Sequence, residues 1–192
     1  MARIISGLVG GRRIATPAGA ATRPTSDRVR EALYSRLEHL GVIAGARVLD
    51  LYAGSGALGL EACSRGAHAA VLVEADRAAA GVARANAREL ALDAVEVRTE
   101  DVERFLLSGP SSEPFGLVLL DPPYDIAEDT LADVLALLVH HDWLAPEALV
   151  VVERSARSPE PRWPAELSAA GERRYGETKM WFADAPGDDE VA

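Results

Sequence analysis

A single cysteine, Cys63, a single lysine, Lys179, and an aromatic share of 5% are the scarcities of this 192-residue chain. One cysteine excludes an intrachain disulfide and a thiolate metal cluster, and a lone thiol is a poor candidate nucleophile. His39, His68, His140 and His141 show no ligand spacing with other donors, so no metal is expected. Trp143, Trp163 and Trp181 read as packing residues rather than base platforms. No apolar run approaches the roughly 20 residues that span a bilayer. Met1 is followed by Arg3 and a glycine-rich segment instead of an apolar secretory core. A cytoplasmic protein with no membrane partner is expected. The 48% hydrophobic and 26% charged residues are those of an ordinary folded chain, long enough for one sizeable α/β core with a small appendage.

Positive charge is scarce overall, with a net charge of −10 and a pI near 4.9, which argues against a polyanionic partner. Its distribution argues the other way. The first thirty residues hold Arg3, Arg12, Arg13, Arg23, Arg28 and Arg30 against Asp27 alone, a net of +5, leaving −15 for the rest. Such blocks are often only solvated faces. Here Gly7, Gly10, Gly11 and Gly19 would let the segment lie close to a nucleic-acid backbone.

Ile4–Leu8 and Arg12–Ala15 read as two short strands around a Gly10-Gly11 turn, followed by a connector from Pro17 to Pro24. Thr25, Ser26 and Asp27 are helix-capping residue types, and Val29, Leu33, Leu37 and Leu40 then repeat at helical spacing up to Gly41. From Ala46 onward apolar strand runs alternate with helical segments. Strands are expected at 48–51, 69–73, 95–97, 115–120 and 149–152, with helices at 58–63, 77–90, 102–107 and 131–139. A closing hairpin is expected over 171–182 around Gly176. This alternation implies an α/β doubly wound, mostly parallel sheet with helices on both faces and a small N-terminal β-hairpin extension. The expected division is a hairpin extension over 1–24, a main domain over 25–187 and an acidic tail over 188–192.

Ligands of such sheets bind outside the carboxyl ends of the strands. Four of those ends carry acids: Asp50, Glu74, Asp101 and Asp121. Asp50 opens the run Asp50-Leu51-Tyr52-Ala53-Gly54-Ser55-Gly56. Gly54-Ser55-Gly56-Ala57-Leu58-Gly59 also fits the dinucleotide fingerprint, with Glu74 at about the distance of a ribose-binding acid. An NAD-dependent oxidoreductase is therefore one reading. Asp50 beside a pyrophosphate and the lack of a hydride-transfer set favour a cationic ligand instead, and S-adenosylmethionine suits that description. Asp121-Pro122-Pro123-Tyr124, at the end of the apolar run 115–120, combines a carboxylate, two prolines that fix the backbone and an aromatic ring. It is a rigid holder for a flat polar group such as a nucleobase bearing an exocyclic amine.

With these motifs the chain resembles the class I S-adenosylmethionine-dependent methyltransferases. With Arg3-Ile4-Ile5-Ser6-Gly7, Gly11-Arg12-Arg13 and Arg23-Pro24-Thr25-Ser26-Asp27-Arg28-Val29-Arg30-Glu31-Ala32-Leu33-Tyr34 added, it resembles the 16S ribosomal RNA guanine-N2 methyltransferase family over nearly its whole length. Ser35 departs from the asparagine often found there, and the residues beyond Lys179 match least.

The resemblance implies a seven-stranded Rossmann-like sheet and methyl transfer to the N2 of one guanine in 16S ribosomal RNA, free or within the small subunit. It implies S-adenosylmethionine as cofactor, no metal, and a monomer. Asp121, Pro122, Pro123 and Tyr124 would be catalytic. Asp50, Tyr52, Ala53, Gly54, Gly56, Glu74, Ala75, Asp101, Val102 and Thr25 would bind the cofactor, although strand-terminating acids explain Glu74 and Asp101 equally, and a helix cap explains Thr25. Arg3, Arg12, Arg13 and Arg23 would bind RNA. Another Asp-Pro-Pro-Tyr amino methyltransferase, acting on adenine N6 or a protein amide, is the alternative. A binding module that kept only the cofactor pocket is the remaining one.

Overall fold

Two apolar clusters, one on each face of a central sheet, organise the chain. The computed structural model describes residues 2–17 and 26–187. Thr25, Arg23 and the tail over 188–192 lie outside the described residues. The elements are β1 (Ala2–Arg3), β2 (Arg13–Ile14), α1 (Asp27–His39), β3 (Arg47–Leu51), α2 (Ala57–Ser64), β4 (Ala69–Glu74), α3 (Arg77–Glu89), β5 (Val95–Thr99), α4 (Val102–Leu107), β6 (Phe115–Leu120), α5 (Glu128–His140), β7 (Leu144–Ser155), β8 (Ser168–Tyr175) and β9 (Thr178–Asp184).

The seven-stranded sheet has the order β5-β4-β3-β6-β7-β9-β8. Its first five strands are parallel, and β9 runs antiparallel between β7 and β8. Alternation along each strand feeds the two clusters, as a pleat of period two requires. In β6, Leu117 and Leu119 join the face covered by α1, α2 and α3, while Val118 and Leu120 join the face covered by α4 and α5, as does Phe115, put out of phase by the register shift between Phe115 and Leu117. Each fully buried side chain of this kind stabilises the fold by about 1.5–3 kcal/mol. Among the parallel strands chain order runs outward from the β3–β6 pair, to β5 on one side and β7 on the other, which makes that pair the topological switch point. The turn after β3 and the turn after β6 become neighbours, and these carry the two motifs.

Several boundaries differ from the pattern-based expectation. The stretch Ile4–Leu8 is not a strand: only two residues on each side form the ladder, Ala2 with Ile14 and Arg3 with Arg13. The reason is that the amides of Ile5, Ser6, Leu8 and Val9 are taken by α2 instead of by β2, with Gly7 turning at φ 86°. Ser26, not Thr25, caps α1, its hydroxyl accepting from the Val29 amide at 3.3 Å. Strand β7 begins five residues early because residues 144–148 continue past a register shift opposite Phe115–Leu117. The closing hairpin turns at Gly176, φ 62°.

Candidate active site

The turn after β3 folds tightly because three of its residues adopt left-handed backbone: Tyr52 (φ 63°), Gly54 (φ 56°) and Gly56 (φ 80°). Gly56 precedes α2 without a side-chain cap, and a Cβ there would stand 2.6 Å from Leu72 Cδ2. Glycine is thus required by both backbone and packing. Glu74, leaving β4, holds this turn. Its Oε2 accepts from the Gly54 amide and its Oε1 from the Asp76 amide, both at 2.8 Å. Ala75 is exposed beside it.

Asp50 is fully buried beneath the turn rather than projecting into it. Its Oδ2 accepts from the Gly59 amide at 2.8 Å, stapling β3 to the first turn of α2, while Oδ1 has no hydrogen-bond partner. Burial pushes its carboxyl up to about 7 and the Glu74 charge adds to that, against the opposing Gly59 hydrogen bond. Tyr52 is pushed up to about 12, first by burial and then by the charges of Glu103 and Asp101. Those electrostatic neighbours place the α4 N-terminus beside the glycine turn. Asp101 caps α4, its Oδ1 accepting from the Arg104 amide at 3.1 Å, and Val102 packs into the second cluster.

Across the switch point, the half-buried Asp121 is held against β3 by its amide, which donates to the Leu51 carbonyl at 3.4 Å. Pro122 is buried, and the Pro123 carbonyl accepts from Ile126 at 3.1 Å, closing the turn. Tyr124 is 74% exposed, yet its hydroxyl donates to Ser155 Oγ at 2.8 Å. An aromatic face is thereby presented to solvent in a fixed place. Arg154, next to Ser155, pairs with Glu128 at the start of α5. The end of β7 therefore holds both Tyr124 and the start of α5, the element that follows the turn.

The N-terminal segment is built onto α2 by a buried carboxylate. Glu61, fully buried, accepts from the Ile5 amide at 2.6 Å, the Ser6 amide at 3.1 Å and Arg65 Nε at 2.7 Å, with Arg30 Nε 4.0 Å away. Ser64 donates its hydroxyl to the Ser6 carbonyl and accepts from Val9, and its own carbonyl accepts from Leu8. Several of the clustered arginines are consumed here. Arg30 is 1% exposed and bonds Asp27 and the Arg3 carbonyl, Arg3 pairs with Asp27, and Arg12 donates to the Glu89 carbonyl at the end of α3. Arg13 is exposed.

Three residues that sequence reasoning passed over shape this region. Asn86 of α3, 1% exposed, exchanges hydrogen bonds with the Ala15 backbone and donates to the Ser55 carbonyl at 2.9 Å, joining the N-terminal segment to the glycine turn. Its signal was available, since it interrupts the buried alanine stripe Ala79, Ala80, Ala83 and Ala87. Arg154 and Ser155 follow the apolar run of β7, where the strand-end rule that found Asp121 applies equally. The described residues contain no group of three or more possible metal ligands, and none of their helices is long and apolar enough to cross a membrane.

Comparisons with known proteins agree with this arrangement. A family model described as conserved hypothetical protein 95 matches residues 2–184. The chain is 37% identical over 191 residues to the ribosomal RNA small subunit methyltransferase D of Escherichia coli, covering 98% of this chain and 93% of that protein. It is 34% identical over 178 residues to a putative rRNA methyltransferase of Bacillus subtilis, covering 92% and 95%. A solved putative methyltransferase from Escherichia coli superposes with a TM-score of 0.84 at 37% identity, covering 97% and 99%. The chain, with its class I methyltransferase fold, belongs to the family of the ribosomal RNA small subunit methyltransferases D.

Proposed function

We propose that this protein is a ribosomal RNA methyltransferase that moves a methyl group from S-adenosylmethionine to the exocyclic N2 of a guanine in 16S ribosomal RNA. The observation that carries the reading is the juxtaposition, at one switch point, of a glycine turn held by Glu74 and a rigid Asp121–Tyr124 turn with an exposed, tethered ring. The names borne by relatives that align along nearly the whole chain support ribosomal RNA as the substrate.

The residues present fit the cofactor. Gly54 and Gly56 let backbone approach its methionyl part, with Tyr52 and Ala53 in the same turn. Glu74 and Ala75 would hold the ribose, and Asp101 and Val102 the adenine. The unpartnered, buried Asp50 Oδ1 is the oxygen left for the ammonium end. Thr25 belongs to this set by resemblance alone. When bound, the cofactor supplies a methyl on a sulfonium, an already activated leaving group.

A guanine amine is a weak nucleophile because its lone pair is delocalised into the ring. The Asp121 carboxylate and the Pro122 carbonyl accept the amine hydrogens, localising that pair and stabilising the positive charge that grows on nitrogen. The two prolines keep these acceptors in place, so little reorganisation is required during reaction. Tyr124 stacks on the base, a contact worth about 1–3 kcal/mol in single-stranded recognition. The guanine must be unpaired or extruded to reach it. Arg12 and Arg13, exposed on the N-terminal side, contact the RNA backbone, while Arg3, paired with Asp27, and Arg23 belong to this set by resemblance alone, and the protein acts as a monomer in the cytoplasm.

Asp121→Ala is the test. Methyl transfer to 16S ribosomal RNA from cells lacking the protein is expected to be abolished, with the melting temperature and S-adenosylmethionine affinity retained. Retained turnover would remove Asp121 from the mechanism. Tight binding of NAD, with none of S-adenosylmethionine, would overturn the whole reading.

A further inference from the structure

The β8–β9 hairpin ends on the same rim as the candidate active site. Strand β7 is parallel to β6, so its last residue, Ser155, lies on the side where β6 delivers Asp121. Ser155 pairs with Thr178 at the start of β9, and Thr178 pairs with Tyr175 at the end of β8. The turn at residues 175–178 is thus in register with the residue that receives the Tyr124 hydroxyl.

Around this turn stand Arg157, Arg173, Arg174 and the only lysine of the chain, Lys179. Two of the four are paired: Lys179 with Glu172 at 3.1 Å and Arg157 with Glu177 at 3.8 Å. Arg173 and Arg174 are exposed, and their recorded hydrogen bonds go to the main-chain carbonyls of Glu172 and Gly176, which leave their charges uncompensated. The patch carries a net of +2 on a protein whose net charge is −10. Cross-strand pairing puts Arg173 opposite Met180 and Arg174 opposite Lys179, so the two arginines project from opposite faces of the sheet edge.

We propose that this hairpin is a second RNA-contact surface, in which Arg173 and Arg174 hold phosphates on the far side of the target guanine from the N-terminal hairpin. The inference rests on the ribosomal RNA reading above. The acids along this rim, Glu74, Asp101, Asp121 and the exposed Asp125, repel a phosphate backbone along its middle. A polyanion that must bring one base to Tyr124 is therefore held by cations flanking that rim. One basic flank would fix position only, whereas two also fix direction. Phosphate contacts of this kind set register without reading sequence.

Charged side chains on an edge strand also block unwanted strand pairing, and the test separates that role from RNA binding. Arg173→Glu/Arg174→Glu keeps the edge charged but reverses its sign, and Arg173→Ala/Arg174→Ala removes the charge. Binding of a 16S ribosomal RNA transcript is measured from 0.05 to 0.3 M salt, alongside melting temperature and S-adenosylmethionine affinity. Two lost phosphate contacts lower the salt slope by about 1.4 and weaken binding at about 0.1 M salt by roughly tenfold or more. The Glu variant is expected to lose more than the Ala variant, with melting and cofactor affinity unchanged in both. Wild-type RNA affinity in both variants would overturn the second surface and leave the functional reading standing. Affinity kept for the free transcript but lost for assembled small subunits would overturn it in favour of a protein contact. A wild-type protein that binds S-adenosylmethionine but no RNA would overturn both.

Discussion

The two hairpins of this protein are stabilised in opposite ways. The N-terminal one has a ladder of two residues per strand, and four further amides, of Ile5, Ser6, Leu8 and Val9, go to a buried carboxylate and a serine on α2. The β8–β9 hairpin has strands of eight and seven residues and is held by its main-chain ladder within the large sheet. The difference decides what their arginines are free to do. In the first, Arg3 and Arg30 share the carboxylate of Asp27 and are neutralised within the protein, leaving Arg12, bonded only to the Glu89 carbonyl, and the exposed Arg13. In the second, Arg173 and Arg174 bond carbonyls of their own hairpin and keep their charge for a partner. A count of positive residues along a sequence is therefore not a count of available positive charge.

Removing Glu61 is the most severe way to break the contrast. Glu61→Ala leaves the Arg65 Nε and two amides without their acceptor and removes the buried charge facing Arg30, an expected loss of about 3–5 kcal/mol. That corresponds to a fall of about 10 °C or more in melting temperature for a chain of this size. Lys179→Ala, which breaks an ion pair of the other hairpin, is expected to cost no more than about 1 kcal/mol. Equal losses would refute the distinction. Glycine substitutions sharpen it with one chemistry. A Cβ on Gly7 would fall inside the Ser64 carbonyl, whereas one on Gly176 meets nothing within 4 Å. Thermal unfolding should place Gly7→Ala about 3 kcal/mol below the parent and Gly176→Ala about 1 kcal/mol below, since only the first adds a clash to the left-handed backbone.

Arginine replacements come next. Arg12→Ala/Arg13→Ala is expected to weaken 16S ribosomal RNA binding about tenfold at 0.1 M salt and to flatten the salt dependence, with the larger loss at low salt. Arg30→Ala should instead lower the melting temperature, because Arg30 is buried in the seam. The smallest effect belongs to Tyr124→Phe. Losing the hydrogen bond to Ser155 should slow methyl transfer by roughly 2- to 10-fold, the worth of one neutral hydrogen bond. Ser155→Ala should do the same, and combining the two should add nothing.

Strand runs, helix stripes and the two motif turns were legible because each rests on local pattern. Residues 102–107 and 115–120 form the helix and strand that their periodicity implies. The membership of the rim was legible too, since strand ends in a parallel sheet share one side. What escaped were the side-chain contacts between residues distant in sequence. Ile4–Leu8 looks like a strand, and only the approach of Glu61 and Ser64 turns its amides aside. Asp50 was legible as an acid at a strand end, but its burial follows from the packing of α2 over β3. Arg154 and Ser155 gain their importance from Glu128 and Tyr124, 26 and 31 residues away. Thr25 lost the capping position to its neighbour Ser26, a choice among three equivalent residue types that pattern cannot make.

The buried seam has a consequence for synthesis. Residues 2–15 emerge from the ribosome early, but a two-residue ladder is too short to persist alone. Their partners arrive much later: Glu61 lies 56 residues beyond Ile5, Asn86 71 beyond Ala15, and the carbonyl of Glu89 77 beyond Arg12. This segment, made before its partners, is thus among the last to dock on its half of the sheet. Until α3 is complete, Ile4 and Ile14 remain uncovered on the growing chain, so the basic front matures only when the floor of the cofactor site already exists.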